Sequence, residues 1–470
     1  MLPWIELERS EAVRWNFLPD VAARAQRYLE SVANRPVGPD AEALERLKSF
    51  DVPLQEESIS AQEILDELQQ NAEPATVAVA GPRFFGFVNG GALPGAVAAN
   101  MLLTAWEQHG SFERTSPATT RLEQTAIRWI TELLSLPGGT TGGFVTGTTV
   151  AHVVALSAAR DSLLSHLGWN AAADGLFGAP PINVVVGAEG HSSLLKALGV
   201  VGLGRKRIVP VPVDDQGRMH ADAIPPLTMP SIVCVQSGNV NTGAFDPIRE
   251  IAERVRSFHV PVWIHVDGAF GLWARVAPAR AHLTDGLELA DSWATDAHKW
   301  LNSPYDCGIV LARDGEALRR SMSINADYLP SHTANPTDYV LEMSRRSRGV
   351  DVWAVLRSLG RSGLAEMVER HCQLAARFAD GFRAAGYEVL NDVVLNQVMV
   401  SFGTADITRR VIAGVQADGT CWCGPTVWQG QTAMRVSVIN WSTGEADVDR
   451  SLDAILRIAR QEGARPAQRS

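Results

Sequence analysis

The apolar residues in the middle of the chain follow one repeating arrangement. From Thr120 to about Leu311, short continuous apolar runs alternate with longer stretches of helical periodicity. The apolar runs are Ile182–Gly187, Arg207–Val213, Ser231–Gln236, Val260–Val266 and Gly308–Ala312, and the helical stretches are Arg121–Ser135, Val150–Leu167, Ser192–Gly199 and Ile248–Phe258. Continuous apolar runs are typical of parallel strands that are covered on both faces. The pattern therefore predicts an α/β fold with a mostly parallel central sheet and helices on both of its faces.

The N-terminal region has a different character. Helical periodicity in Pro19–Ala33 and Ala61–Gln70 is interrupted by the proline-containing stretch Arg35–Asp40. These helices carry too little apolar surface to fold alone, so they must pack on the main body or on a partner subunit. The pattern predicts an N-terminal helical arm over residues 1–75.

The chain changes character again after about Tyr339. A long helical stretch, two short strands and a final helix follow, at Val352–Ala385, Val393–Phe402, Ala433–Ile439 and Asp447–Arg460. This order of elements predicts a small C-terminal α+β domain over residues 339–470. The large α/β domain is then expected over residues 76–338.

Composition and charge exclude several classes of protein. The 470 residues carry a net charge of −10 with no basic stripe, which disfavours nucleic acid as a partner. The apolar runs are far shorter than the roughly 20 residues of a membrane span, and the N-terminus lacks a secretion pattern. We therefore expect a cytoplasmic protein. The five cysteines are scattered and odd in number, so we expect free thiols.

An acidic residue follows one of the buried strands. Asp267 comes directly after Val260–Val266 and is followed by the turn Gly-Ala-Phe-Gly. This position puts its carboxylate at the carboxyl end of the sheet, where ligands bind in open α/β folds. A carboxylate that merely caps the next element is the alternative.

The segment Asp296-Ala-His298-Lys299 carries a second set of polar groups. Lys299 lies 32 residues beyond Asp267 and directly before an apolar stretch. An isolated His-Lys pair could be a surface feature. In combination with the Asp-Gly-Ala turn, it indicates a lysine at the same site.

Two further segments have ligand-binding features. The Gly147-Thr148-Thr149 turn stands directly before a predicted helix, so its backbone N–H groups, helix dipole and hydroxyls suit a phosphate dianion. The alternative is a simple N-cap, and the chain has no P-loop motif. His191 follows the apolar run Ile182–Gly187 and precedes two serines. It could stack on a flat aromatic ligand, act as an acid–base group or be structural.

Together these segments resemble the group II pyridoxal-phosphate (PLP) decarboxylases, the family of aromatic-amino-acid, histidine and glutamate decarboxylases. The resemblance extends from about Pro82 to Trp441, with the motifs in the same order and at the same spacing. The motifs are Pro82-Arg-Phe-Phe-Gly-Phe-Val-Asn89, Gly147-Thr148-Thr149, His191-Ser-Ser, Gly238-Asn-Val-Asn-Thr-Gly-Ala-Phe-Asp246, His265-Val-Asp267-Gly-Ala269 and Asp296-Ala-His298-Lys299-Trp300. It implies a fold type I enzyme with PLP as its cofactor.

The resemblance also implies a role for each matching residue. Lys299 is expected to hold PLP as a Schiff base, Asp267 to keep the pyridine nitrogen protonated, and His191 to stack on the ring opposite Ala269. The expected phosphate-binding residues are Thr148, Thr149 and His298. Asp296 is expected to adjoin the cofactor, but many relatives have Asn in its place, and a carboxylate beside a phosphate would be repelled unless it pairs with a donor or faces away.

The substrate-binding residues are expected to be Phe87, Asn89 and Arg435. Arg435 suits a carboxylate because of its planar fork, with an inter-domain salt bridge as the alternative. Tyr339 is the candidate acid that protonates the α-carbon, with a packing role as the alternative. The stretch after Phe85 departs from the aromatic-amino-acid enzymes, so the side-chain pocket is expected to differ.

The leading hypothesis is a PLP-dependent carboxy-lyase that acts on an L-amino acid through an external aldimine and a quinonoid. The resemblance implies a homodimer with the active site at the subunit boundary. One alternative is another PLP enzyme of the same fold: an aminotransferase, an aldolase or an aldehyde-forming decarboxylase. The other is a metal-dependent hydrolase with His265, Asp267 and His298 as ligands.

Overall fold

A seven-stranded sheet forms the centre of the computed structural model, which describes residues 15–324 and 335–464. Its strands are β1 (Thr141–Val145), β2 (Asn183–Gly187), β3 (Ile208–Val211), β4 (Ser231–Gln236), β5 (Val262–Asp267), β6 (Ser292–Asp296) and β7 (Gly308–Ala312). They lie in the order β1-β7-β6-β5-β4-β2-β3. Strand β7 is antiparallel to β1 and β6, and the remaining pairs are parallel. The predicted mostly parallel sheet is confirmed.

Helices surround this sheet and also lie before and after its strands in the sequence. In chain order they are α1 (Leu18–Ser31), α2 (Ala41–Arg46), α3 (Ala61–Glu67), α4 (Pro94–Trp106), α5 (Pro117–Leu133), α6 (Thr148–His166), α7 (Ala171–Asp174), α8 (Ser192–Val200), α9 (Ile248–Arg256), α10 (Gly315–Met322), α11 (Gly349–Ala384), α12 (Ala405–Asp418) and α13 (Glu445–Gln461). The long helix α11 is interrupted at Gly360, whose φ of 60° lies outside the helical region.

Strand β4 shows why the apolar runs are continuous. All six of its residues are buried, and successive side chains point to opposite faces of the sheet. Ile232 packs in one core with Leu198 of α8, whereas Val233 packs in another with Ile251 of α9. Both faces are therefore covered, and neither tolerates polar alternation.

A second, antiparallel sheet lies in the C-terminal part. It contains β8 (Glu388–Val389), β9 (Gln397–Ser401), β10 (Gly424–Trp428) and β11 (Gln431–Ser437), in the order β10-β11-β9-β8. Phe378 and Phe382 of α11 share its core with Phe402. The domain limits drawn from the sequence stay a prediction.

Contacts between distant residues hold the N-terminal arm in place. In α1, Arg24 forms ion pairs with Asp20 of the same helix and with Asp66 of α3. The buried Arg83 donates hydrogen bonds to the backbone oxygens of Ala33 and Thr420. The arm is thus joined to the C-terminal part of the chain.

Two strands of the large sheet, β1 and β6, were absent from the sequence prediction, as were β8 and β10 of the small sheet. Strand β1 contains Gly142, where an added Cβ would lie 1.8 Å from the carbonyl oxygen of Val310, so close pairing with β7 requires glycine. Three of the five residues of strand β6 are polar, namely Ser292, Thr295 and Asp296. Neither segment has the continuous apolar pattern on which the prediction depended.

All five cysteines are free, as predicted. Within residues 15–324 and 335–464, no helix has the length and apolar character needed to cross a membrane.

Candidate active site

The predicted site residues meet at one edge of the large sheet. Strands β1, β2, β5 and β6 run in the same direction, and their carboxyl ends lead to Thr148, His191, Asp267 and Asp296. Lys299 follows β6 by three residues. The edge is the place where parallel α/β folds bind ligands.

Asp296 connects the lysine to the start of helix α6. Its Oδ1 accepts a hydrogen bond of 2.7 Å from the backbone N–H of Thr148, and its Oδ2 lies 3.0 Å from Lys299 Nζ and 3.7 Å from His298 Nε2. Burial alone would raise the pKa of Asp296, but Lys299 and His298 outweigh burial and hold the pKa below its ordinary value. The lysine amine is therefore held by an ionised carboxylate.

Asp267 is a second buried carboxylate. Its Oδ2 lies 3.5 Å from His152 Nε2, and its Oδ1 accepts a hydrogen bond of 3.3 Å from the Ala269 N–H. Burial opposes ionisation, but His152, followed by His191 and Lys299, outweighs it and holds the pKa of Asp267 well below its usual range. A permanent negative charge thus lies at the end of β5, which fits a protonated pyridine nitrogen.

His191 forms the N-cap of helix α8. Its Nδ1 accepts a hydrogen bond from the Ser193 N–H and lies 2.7 Å from Ser193 Oγ. Burial lowers the pKa of His191, although Asp267 acts in the opposite direction. The ring is consequently neutral at pH 7, with its proton on Nε2, and is free to lie flat against a ligand.

The start of helix α6 provides a cradle for an anion. The Thr148 hydroxyl is buried and has no hydrogen-bond partner among the described residues. Asp296 and His298 lie 3.5 Å from the place of a Cβ at Gly147. Thr149 is the second residue of the helix. An unpartnered hydroxyl and a helix N-terminus beside a lysine and a buried carboxylate fit PLP.

The segment that contains Phe87 and Asn89 covers the lysine. A Cβ at Gly90 would lie 2.1 Å from the carbonyl oxygen of Lys299, so only glycine allows this approach. The Asn89 Oδ1 accepts a hydrogen bond of 2.7 Å from the hydroxyl of Tyr305, and Phe87 is mostly exposed.

Sequence reasoning missed Tyr305. Its ring stacks on His298 at 4.3 Å between centroids, and burial raises the pKa of Tyr305 to about 12. Its position six residues after Lys299 was the available signal. Sequence reasoning also missed His152, which lies one helical turn after Thr148.

Arg435 on β11 is a half-buried cation without a carboxylate partner among the described residues. Its Nη1 donates to the Val240 oxygen and to Asn241 Oδ1, each over 3.3 Å. Burial lowers the pKa of Arg435 to about 10. The positive charge of Arg435 also lowers the pKa of His191. The inter-domain salt bridge that was the alternative for this residue is not formed within the described chain.

Tyr339 is not brought to the site within one chain. Its ring packs against the cluster of Val145 and Val340. Burial raises the pKa of Tyr339, and the charges nearest its hydroxyl belong to Glu316 and Arg319 rather than to Lys299. Its role as the acid stays a prediction. Residues 325–334, which include Tyr328, lie outside the described part.

The geometry does not support a metal-dependent hydrolase. Both ring nitrogens of His265 are engaged, Nδ1 with Ser292 Oγ and Nε2 with His152 Nδ1, at 2.8 Å each. His265 therefore has no free ring nitrogen with which to bind a metal together with Asp267 and His298. Across the described ranges, no three His, Cys, Asp or Glu side chains are arranged to hold a metal ion.

The sheet and the site together define a PLP-dependent enzyme of fold type I. Comparisons with known proteins are more specific. The family model for the pyridoxal-dependent decarboxylase conserved domain matches residues 43–403. The chain is 30% identical over 417 residues to tryptophan decarboxylase 1 of Oryza sativa subsp. japonica, covering 80% of this chain and 79% of the relative.

Other similar proteins differ in their reaction. The chain is 28% identical to 4-hydroxyphenylacetaldehyde synthase of Rhodiola rosea over 378 residues, 75% of this chain and 74% of the relative. The fold matches the crystal structure of Oryza sativa TDC with PLP and tryptamine, with a TM-score of 0.87, 24% identity and coverage of 98% and 99%. The chain therefore belongs to the pyridoxal-dependent decarboxylase family and is a PLP-dependent carboxy-lyase.

Proposed function

We propose that the chain decarboxylates an L-amino acid and holds PLP on Lys299. The observation that carries this proposal is the position of the Lys299 amine, 3.0 Å from the ionised Asp296 and at the same sheet edge as the ionised Asp267. When bound, PLP supplies an electron sink for the electron pair that remains when a bond to the α-carbon breaks.

The protein residues orient the reactants and control protons. Asp267 would keep a proton on the pyridine nitrogen because its buried charge stabilises the cation. The neutral ring of His191 and the small Ala269 would hold the two faces of the cofactor. The hydroxyl of Thr148, with the N-terminus of α6, would bind the phosphate. Thr149 and His298 adjoin the same cradle.

Asp296 is proposed to act on the lysine rather than on the phosphate. A carboxylate beside a phosphate would be repelled, whereas Asp296 Oδ2 faces the Lys299 amine at 3.0 Å. The carboxylate can hold the ammonium form of Lys299 in place whenever the amine is free. The sequence assigned Asp296 to the cofactor and required a donor for its carboxylate, and this proposal names Lys299 as that donor.

Arg435 is proposed to bind a carboxylate of the substrate. A half-buried guanidinium with only two long neutral hydrogen bonds has unused donors, and a planar fork binds carboxylate through two of them. Asn89 and Phe87 are proposed to line the entrance, with Tyr305 held against Asn89.

A homodimer is proposed for two reasons. The helical arm exposes large apolar side chains, including Leu18, Leu44 and Leu54. In addition, Tyr339 packs against β1 and α10 in its own chain, so we propose that the lysine it serves as an acid belongs to a partner subunit. A fully active monomer in sedimentation velocity would contradict this proposal.

The test of function is product analysis on a panel of L-amino acids. We expect stoichiometric carbon dioxide and amine, with no keto acid from a transaminase and no aldehyde. An aldehyde-forming enzyme is the second candidate, because Tyr339 is remote from Lys299 in its own chain and a similar protein is an aldehyde synthase. Aldehyde formed with oxygen consumption would favour it.

The lysine itself is tested by borohydride reduction of the holoenzyme. Among the four lysines of the chain, only the peptide that contains Lys299 should carry the reduced cofactor. Lys299→Ala should lose the visible absorbance and the activity, and Lys206→Ala should keep both. A labelled peptide without Lys299 would refute the proposed function.

A further inference from the structure

A continuous row of buried polar side chains runs beneath Asp267. Trp263 Nε1 donates to Ser292 Oγ, Ser292 Oγ contacts His265 Nδ1, and His265 Nε2 contacts His152 Nδ1, each over 2.8 Å. The row ends at His152 Nε2, which lies 3.5 Å from Asp267 Oδ2. Ser292 and both imidazoles have no exposed surface, so the proton positions are ordered by the protein itself.

The two ends of this row determine the direction of its hydrogen bonds. An indole N–H can only donate, and an ionised carboxylate can only accept. Because Ser292 accepts from Trp263, its own hydroxyl proton can go to His265 Nδ1. His265 then carries its proton on Nε2 and donates it to His152 Nδ1. The remaining ring proton lies on His152 Nε2, which faces Asp267.

The reverse direction is unfavourable. It would leave His152 Nε2 without a proton and direct a nitrogen lone pair at the Asp267 carboxylate. His152 Nε2 has no other hydrogen-bond partner among the described residues. Burial and the neighbouring His152 lower the pKa of His265 to about 3, so His265 stays neutral. A row with a single proton order is the arrangement that satisfies every member.

We propose that His152 is a positioning residue that donates its Nε2 proton to Asp267 and fixes the orientation of that carboxylate, while Ser292 and His265 hold His152 in the required tautomer. The inference rests on the proposed function, in which Asp267 meets the pyridine nitrogen of PLP. A hydrogen-bond donor suits this place because it compensates for the cost of burying the carboxylate.

The first experiment measures the dissociation constant of PLP and the steady-state constants of three variants. His152→Leu should weaken PLP binding by about 10- to 100-fold, the worth of a hydrogen bond to a charged group, and lower kcat more than it raises KM. His152→Gln should recover most of this loss, because its amide nitrogen can reach the place of Nε2. Ser292→Ala should give an intermediate loss, because the tautomer of His265 is no longer fixed.

A double-mutant cycle separates this role from a structural one. If His152 acts through Asp267, then His152→Leu should cause no further loss of PLP affinity in an Asp267→Asn background. The control is Cys234→Ala, a buried change beside His265 in the neighbouring strand that removes no hydrogen bond of the row. It should lower the midpoint of thermal unfolding and leave PLP affinity unchanged.

The outcomes distinguish this inference from the proposed function. Full additivity of His152→Leu and Asp267→Asn would overturn the positioning role and leave the proposed function intact. If Asp267→Asn itself binds PLP and turns over like the wild type, the proposed function fails and the inference with it. Should His152→Leu not fold, wild-type PLP affinity in Ser292→Ala would overturn the tautomer relay.

Discussion

Replacing Arg435 with methionine tests whether this arginine serves the substrate or the fold. In the structure its guanidinium has two neutral acceptors at 3.3 Å and no carboxylate partner among the described residues. Burial lowers the pKa of Arg435 from its ordinary value to about 10. At about 1.36 kcal/mol for each pKa unit, the half-buried cation costs the folded state about 3 kcal/mol at every pH below 10.

Methionine fills a similar volume and needs no solvation. We therefore expect Arg435→Met to raise the free energy of unfolding of the substrate-free enzyme by about 1–3 kcal/mol, after allowance for the two lost hydrogen bonds. The same change should lower kcat/KM for the proposed carboxylate substrate by at least about 30-fold, because the carboxylate loses its charged partner. The two effects are measured by unfolding experiments and by initial rates.

Arg345→Met is the matched control. Arg345 donates hydrogen bonds of 2.9 and 2.7 Å to the two oxygens of Glu123, and both residues are buried. The same substitution leaves a buried, unpaired carboxylate and should cost about 3–5 kcal/mol. If Arg435→Met also destabilises the enzyme and KM is unchanged, Arg435 is a structural residue and the substrate role is wrong.

Three further predictions follow from the same geometry. Asp267→Asn should keep some bound PLP but lose most turnover in initial-rate assays, since a neutral amide no longer stabilises the pyridinium; near-normal turnover would mean a structural role. Tyr339→Phe should slow the reaction by about 10²–10⁴ and yield aldehyde in air if this tyrosine is the acid; unchanged amine yield would exclude it. Burial lowers the pKa of His371 to about 3, so below pH 6.5 this histidine takes up a proton in the unfolded chain but not in the folded one. The free energy of unfolding of the wild type should therefore fall by about 2 kcal/mol between pH 7 and pH 5. His371→Gln should lack this fall when unfolding is measured at the two pH values. An equal fall in the variant would show that His371 is not its cause.

The sequence by itself determined the class of the fold and most of the proposed cofactor residues. Continuous apolar runs identified five strands of the large sheet, of which β7 is antiparallel to its neighbours, and the polar residues that follow two of those runs are Asp267 and His191. Because the carboxyl ends of parallel strands lie at the same edge of a sheet, residues that are far apart in the chain converge there. Lys299 and Thr148 lie at this edge too. The strands β1 and β6 were missed because glycine and polar residues replace apolar ones where backbones pack closely or side chains form hydrogen bonds.

Only the tertiary structure decided which side chains meet. The pairing of Asp296 with the Lys299 amine, the row of His152 and His265, and the absence of a described carboxylate beside Arg435 depend on distances between elements that are remote in sequence. Tyr339 shows that a position in the sequence can also suggest a contact that is not formed within one chain. Its place in the sequence suggested the site, but its ring packs against β1, because a position along the chain does not specify the neighbours that folding brings to it.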